Sequence, residues 1–88
     1  MKKLKIFIQK QCPYCRAALQ YLAKLQEAPR YQAIEVELVD ELQEKEYANS
    51  YDYFYVPSFY YQETKIHEGA IDNQQLVALL ELVIADGE

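Results

Sequence analysis

The sequence predicts an α/β protein, a small four-stranded mixed sheet with helices on both faces, in the order β-α-β-α-β-β-α. Three observations predict it. Apolar residues alternate with a period of two near residues 4–8, 33–40, 56–62 and 65–69. The period lengthens to that of a helix over 13–27, 41–51 and 73–85. The chain has only two glycines and three prolines in 88 residues, too few for long loops or low-complexity linkers.

The first strand is read from Leu4-Lys5-Ile6-Phe7-Ile8, rich in β-branched and aromatic residues. Helix one begins at Pro13, whose missing N–H costs nothing in a first turn, and closes before Pro29. Its apolar stripe is Cys15, Ala18, Leu19, Leu22 and Leu25, with Arg16, Gln20 and Lys24 opposite. The second strand places Ile34, Val36 and Leu38 on one face and Glu35, Glu37 and Val39 on the other. Residues 41–51 have the composition of a solvated helix, with Leu42, Tyr47 and Tyr51 as its buried edge. A hairpin joins the last two strands through Glu63-Thr64. The final helix turns Leu76, Leu79, Leu80, Val83 and Ile84 inward, with Asp72 or Asn73 as its N-cap.

The length suits one domain spanning 1–88. Hydrophobic residues at 51% and charged residues at 26% are the balance of a globular chain rather than a disordered one. A net charge of −5 weighs against nucleic acid or an anionic membrane as partner. The apolar run Ile6-Phe7-Ile8 is shorter than the roughly 7–15 residues of a signal-peptide core, so the expected location is the cytoplasm.

Both cysteines lie in Cys12-Pro13-Tyr14-Cys15, at the expected strand-to-helix junction. A zinc site needs four ligands, or three and a water, and the only histidine, His67, is far along the chain; no metal is expected. A disulfide staple across two intervening residues would remove little entropy from the unfolded chain. A reactive dithiol explains the placement. Unpaired N–H groups and the positive end of the helix dipole favour a thiolate on Cys12, and Lys10 and Arg16 are near enough in sequence to add to that field. Cys12 is then the nucleophile, and Cys15, on the apolar stripe, the resolving thiol.

The Cys-Pro-Tyr-Cys tetrapeptide resembles the active site of dithiol glutaredoxins, and Tyr55-Val56-Pro57 resembles their Thr-Val-Pro segment. The resemblance runs from Lys3 to about Ala85. It implies a thioredoxin fold, a thiol–disulfide oxidoreductase acting on protein or mixed disulfides, a cis peptide before Pro57, and no bound cofactor. Disulfide-containing proteins would be its substrates. Lys10, Tyr14, Tyr55, Val56 and Pro57 are the residues expected to meet substrate, Val56 through a backbone left open to a short added strand. Three family contacts to glutathione differ here. Gln9 stands at the cation position, Tyr55 at the threonine, and Gly69-Ala70 at the Gly-Gly pair. Glutathione, a flavin reductase or another low-molecular-weight thiol can therefore be the electron source, and a non-catalytic interaction module using the same groove is the alternative from another class. Five of the nine tyrosines lie in 51–61, where Tyr53 and Tyr55 serve either as substrate rim or as packing.

Overall fold

In a computed structural model, which describes residues 2–86, the elements are β1 (Lys2–Ile8), α1 (Pro13–Leu25), α2 (Pro29–Gln32), β2 (Ile34–Asp40), α3 (Lys45–Asn49), β3 (Ser58–Tyr61), β4 (Thr64–Glu68) and α4 (Asn73–Ala85). The strands order as β2-β1-β3-β4, with β1 and β2 parallel and the other two pairings antiparallel. This is the mixed sheet expected from the sequence, and the α1 crossover is what lets β2 run parallel to β1.

The sheet has a core on each face. Leu4, Ile6, Ile8, Ile34 and Phe59 join Cys15, Ala18 and Leu22 of α1 and Leu76, Leu79, Leu80 and Val83 of α4. On the other face Phe7, Val39 and Tyr60 pack with Ala48 of α3, bordered by Tyr51 and Tyr53. Phe7 lies within 6.2 Å, centroid to centroid, of Tyr47, Tyr51, Tyr53 and Tyr60. Lys5 lies over the Tyr47 and Tyr51 rings, at 4.9 and 4.5 Å from their centroids, with its charge met by Glu63 at 3.5 Å. Much of the tyrosine richness is therefore packing.

Several boundaries differ from the sequence reading, each for a local reason. The helix expected over 41–51 shrinks to α3, because Asp40 turns the chain first: its carbonyl accepts from the N–H of Gln43 and Glu44, and its Oδ1 from that of Leu42. Leu42 is consequently exposed and Ala48 is the buried residue of the helix. In β2, Leu38 is 47% exposed while Val39 is 1% exposed. The strand lies at the sheet edge, where nothing covers Leu38, and α3 closes the opposite face over Val39.

Residues 29–32 form a short helix that the pattern did not announce. It is fastened to α4 by Arg30, paired to Glu81 through two nitrogens, and by the Tyr31 hydroxyl on the same carboxylate at 2.7 Å. The hairpin turn falls at Gln62-Glu63 rather than Glu63-Thr64. Both residues are left-handed, with φ of 51° and 65°, as a two-residue turn matched to the twist of the strands requires. The last helix matches its expected span, and Asp72 caps it with a capping box through Gln75.

Candidate active site

The strand register gathers four chain segments at one end of the sheet. Ile8 ends β1 opposite Asp40, which ends β2, and the Glu41 N–H donates back to the Ile8 carbonyl at 3.0 Å. Phe7 pairs with Ser58, so β3 begins where β1 ends, and Ser58 in turn pairs with Glu68 at the end of β4. Residues 9–15, 40–41, 54–57 and 68–69 thus converge, although far apart in sequence.

Cys12 occupies the N-cap of α1 in extended conformation, followed by Pro13 in the first turn. The Gln9 carbonyl accepts the Cys12 N–H at 3.1 Å, which closes the loop, and the Cys12 carbonyl accepts the Arg16 N–H at 3.0 Å, which starts the helix. Cys12 is half-buried and Cys15 is buried, and both thiols are free. The thiol pKa of Cys12 is lowered, chiefly by the backbone N–H of Cys15, then by that of Tyr14 and by the Cys15 thiol, against the opposing effect of burial. Burial instead pushes the Cys15 thiol up to about 11. One turn of helix thus separates an ionisable, reachable sulfur from a protonated, sheltered one.

The source of the Cys12 shift corrects one expectation. Lys10 lies 4.0 Å from Asp40, and neither Lys10 nor Arg16 is a leading cause; the backbone amides of the first helical turn are. Nearer to the chemistry is a carboxylate that sequence reading placed among solvated acids. Glu41 accepts from the Gln9 side chain and from the Tyr53 hydroxyl, and its charge raises both thiols. Only the parallel pairing of β2 with β1 reveals it, because that pairing carries the end of β2 to the cysteine loop. Replacing Glu41 with Gln removes a negative charge and should lower both thiol pKa values. Iodoacetamide alkylation of Cys12 followed against pH should then show its inflection move to lower pH; an unmoved or raised inflection contradicts the assignment.

The other expected residues divide. The Val56–Pro57 peptide is cis, as anticipated. Pro57 is fully buried, and Val56 packs against the same core cluster as Cys12. Among the described residues no hydrogen bond engages the Val56 backbone. Tyr14 and Tyr55 are exposed, at 62% and 70%. Tyr53, for which rim and packing stood equal, is packing, its ring stacked on Phe7 at 4.8 Å. Phe54, which drew no attention in the sequence, is 85% exposed. His67 packs edge-on against Phe59 within the sheet. No cluster of three or more His, Cys, Asp or Glu side chains among the described residues is arranged to hold a metal, and no helix there is long and apolar enough to cross a membrane.

The fold is similar to that of a malarial protein, with a TM-score of 0.75 at 20% identity over 93% of this chain and 96% of that one. It is also similar to a thioredoxin-like protein from Clostridium perfringens, with a TM-score of 0.68 at 17% identity over 100% and 75% of the two chains. Thioredoxin O2 from Arabidopsis thaliana, in its oxidised state, gives 0.62 at 19% identity over 93% and 74%. These likenesses establish the thioredoxin-like fold. No curated protein matches the sequence. The family description "Thioredoxin domain" matches residues 2–81, a span that takes in all four strands and the cysteine loop, and the chain therefore belongs to the thioredoxin domain family.

Proposed function

We propose that the protein is a thiol–disulfide oxidoreductase that reduces protein or mixed disulfides through Cys12 and Cys15. The observation that carries this is the contrast between the two thiols: Cys12 half-exposed with its pKa lowered by helix N–H groups, Cys15 buried with its pKa raised. The Cys12 thiolate attacks one sulfur of a substrate disulfide, forms a mixed disulfide and expels the other sulfur as a thiolate. Cys15 then loses its proton and attacks the Cys12 sulfur. The substrate's remaining sulfur leaves as a thiolate, and an intramolecular Cys12–Cys15 disulfide remains. Two electrons pass from the dithiol to the substrate, whose two thiolates take up protons.

The open Val56 backbone beside the cysteine loop supports an extended substrate segment paired there, with Pro57 fixing the segment's approach and Tyr14 and Tyr55 as its aromatic borders. Lys10, exposed at the edge of the loop, is the cation available to a substrate carboxylate when it leaves Asp40. The tetrapeptide favours a glutaredoxin-like enzyme, with glutathione as reductant.

One observation favours a different electron donor. Gln9 is committed to Glu41, whose negative charge lies close to both sulfurs and opposes an anionic thiol such as glutathione. A thioredoxin-reductase-type flavoenzyme also attacks through a thiolate, but without the additional carboxylates that glutathione carries to the site. A coupled assay, in which the reductase oxidises NADPH and the protein passes the electrons to insulin disulfides, separates the readings when glutathione plus glutathione reductase is compared with thioredoxin reductase. Faster turnover with thioredoxin reductase is the expected result. Faster turnover with glutathione overturns the choice of donor, and no turnover with either overturns the oxidoreductase reading.

A further inference from the structure

The two most exposed large apolar residues at the catalytic end, Phe54 and Tyr55, stand on a backbone that is held with unusual care. They lie outside the sheet, since the β3 ladder begins at Ser58. Their N–H groups nevertheless both donate to Oε2 of Glu68, at 2.5 and 2.8 Å. The Tyr55 carbonyl accepts from the Ser58 hydroxyl at 2.5 Å. Glu68 is itself anchored, its Oε1 receiving Lys65 Nζ at 2.6 Å, and the next residue, Gly69, donates its N–H to the Pro57 carbonyl at 2.7 Å. A Cβ on Gly69 would come within 4.0 Å of the Tyr55 Cβ, and its φ of 91° is a conformation that other residues rarely adopt. The segment 54–57 is therefore stitched to 68–69 through residues 54, 55 and 57, on either side of the open Val56.

Without Glu68 the two amides would turn to water, and an exposed aromatic pair on a water-bonded loop would sample many conformations. Ordering such a loop at the moment of binding opposes association. We infer that Glu68 is a positioning residue of the disulfide-exchange site: its carboxylate fixes the Phe54–Tyr55 backbone so that both aromatic side chains stand out beside Val56-Pro57, ready to meet a protein substrate. The inference rests on the proposed oxidoreductase function. Glu68 never touches the reacting sulfurs and acts through the loop. Its charge is secure at neutral pH. Lys65 first, and then the two backbone N–H groups, hold the carboxyl at about 2, so the clamp is complete above the ordinary carboxylate range and is lost only as pH falls through about 2.

The test uses Glu68→Ala and Glu68→Gln, the second keeping an acceptor oxygen. Hydrogen exchange followed by NMR should show the Phe54 and Tyr55 amides of Glu68→Ala exchanging roughly tenfold faster, the effect of losing a charged hydrogen-bond acceptor. KM for insulin should rise several-fold, with kcat, turnover of hydroxyethyl disulfide and the alkylation rate of Cys12 unchanged. Glu68→Gln should recover most of both effects. Unchanged exchange at residues 54 and 55, or a fall in kcat shared equally by insulin and hydroxyethyl disulfide, overturns the inference. Should the native protein reduce no disulfide, the oxidoreductase reading fails by itself, and the exchange rates still decide whether Glu68 holds the loop.

Discussion

Cys12→Ser is expected to abolish disulfide reduction, and Cys15→Ser to stop the reaction one step later as a covalent adduct. The asymmetry follows from the first helical turn. Cys12 is the more accessible of the two sulfurs, and the N–H groups of Cys15 and Tyr14 favour its thiolate. A serine hydroxyl there can cap the helix but ionises far outside the working range, so no mixed disulfide forms. In Cys15→Ser the attack still occurs, but no second sulfur is present to release the substrate. Mass spectrometry under non-reducing conditions should therefore find a mixed disulfide on Cys15→Ser and none on Cys12→Ser. An adduct on Cys12→Ser would reverse the two roles, and none on either variant would remove the mechanism.

Phe7→Ala should produce a large loss of stability. Phe7 is fully buried and central to the second core, ringed by Tyr47, Tyr51, Tyr53 and Tyr60. Truncation deletes a large buried surface and leaves a cavity between a sheet and one short helix, a change worth about 3–5 kcal/mol. Domains of this size are commonly stable by only about 5–15 kcal/mol, so much of the folded margin would go. Urea denaturation should show the midpoint fall steeply, with Phe7→Leu losing less. A loss within about 0.5 kcal/mol, the size of an ordinary surface substitution, would mean that the tyrosine cluster is not a core.

The sequence was most legible where a period ran long enough to be unambiguous. Leu76, Leu79, Leu80 and Val83 repeat over three turns behind an aspartate cap, and the last helix lies where that pattern places it. The four strands and their order along the chain were readable for the same reason, and the cysteines lie at the strand-to-helix junction where their spacing placed them. What stayed hidden depends on partners distant in sequence. Leu38 and Val39 exchanged places because burial in β2 is set by which face α3 covers, not by alternation alone. Asp40 displaced the start of α3 through its own hydrogen bonds, which composition does not display. Glu41 stood in a stretch read as a solvated helix and Glu68 in a hairpin strand, since only strand register brings one to Gln9 and the other to the amides of residues 54 and 55.

That register has a consequence for how the protein can change. β1 sends Leu4, Ile6 and Ile8 into one hydrocarbon layer and Phe7 into the other, so a slip of one residue would turn each of them out of its own layer. The alignment that sets Cys12 near Val56-Pro57 is thus fixed by oily side chains that take no part in sulfur chemistry. Exposed residues such as Tyr14, Phe54 and Tyr55 can be exchanged, altering in the proposed reaction the choice of partner, while the spacing of the two cysteines stays where the buried layers put it.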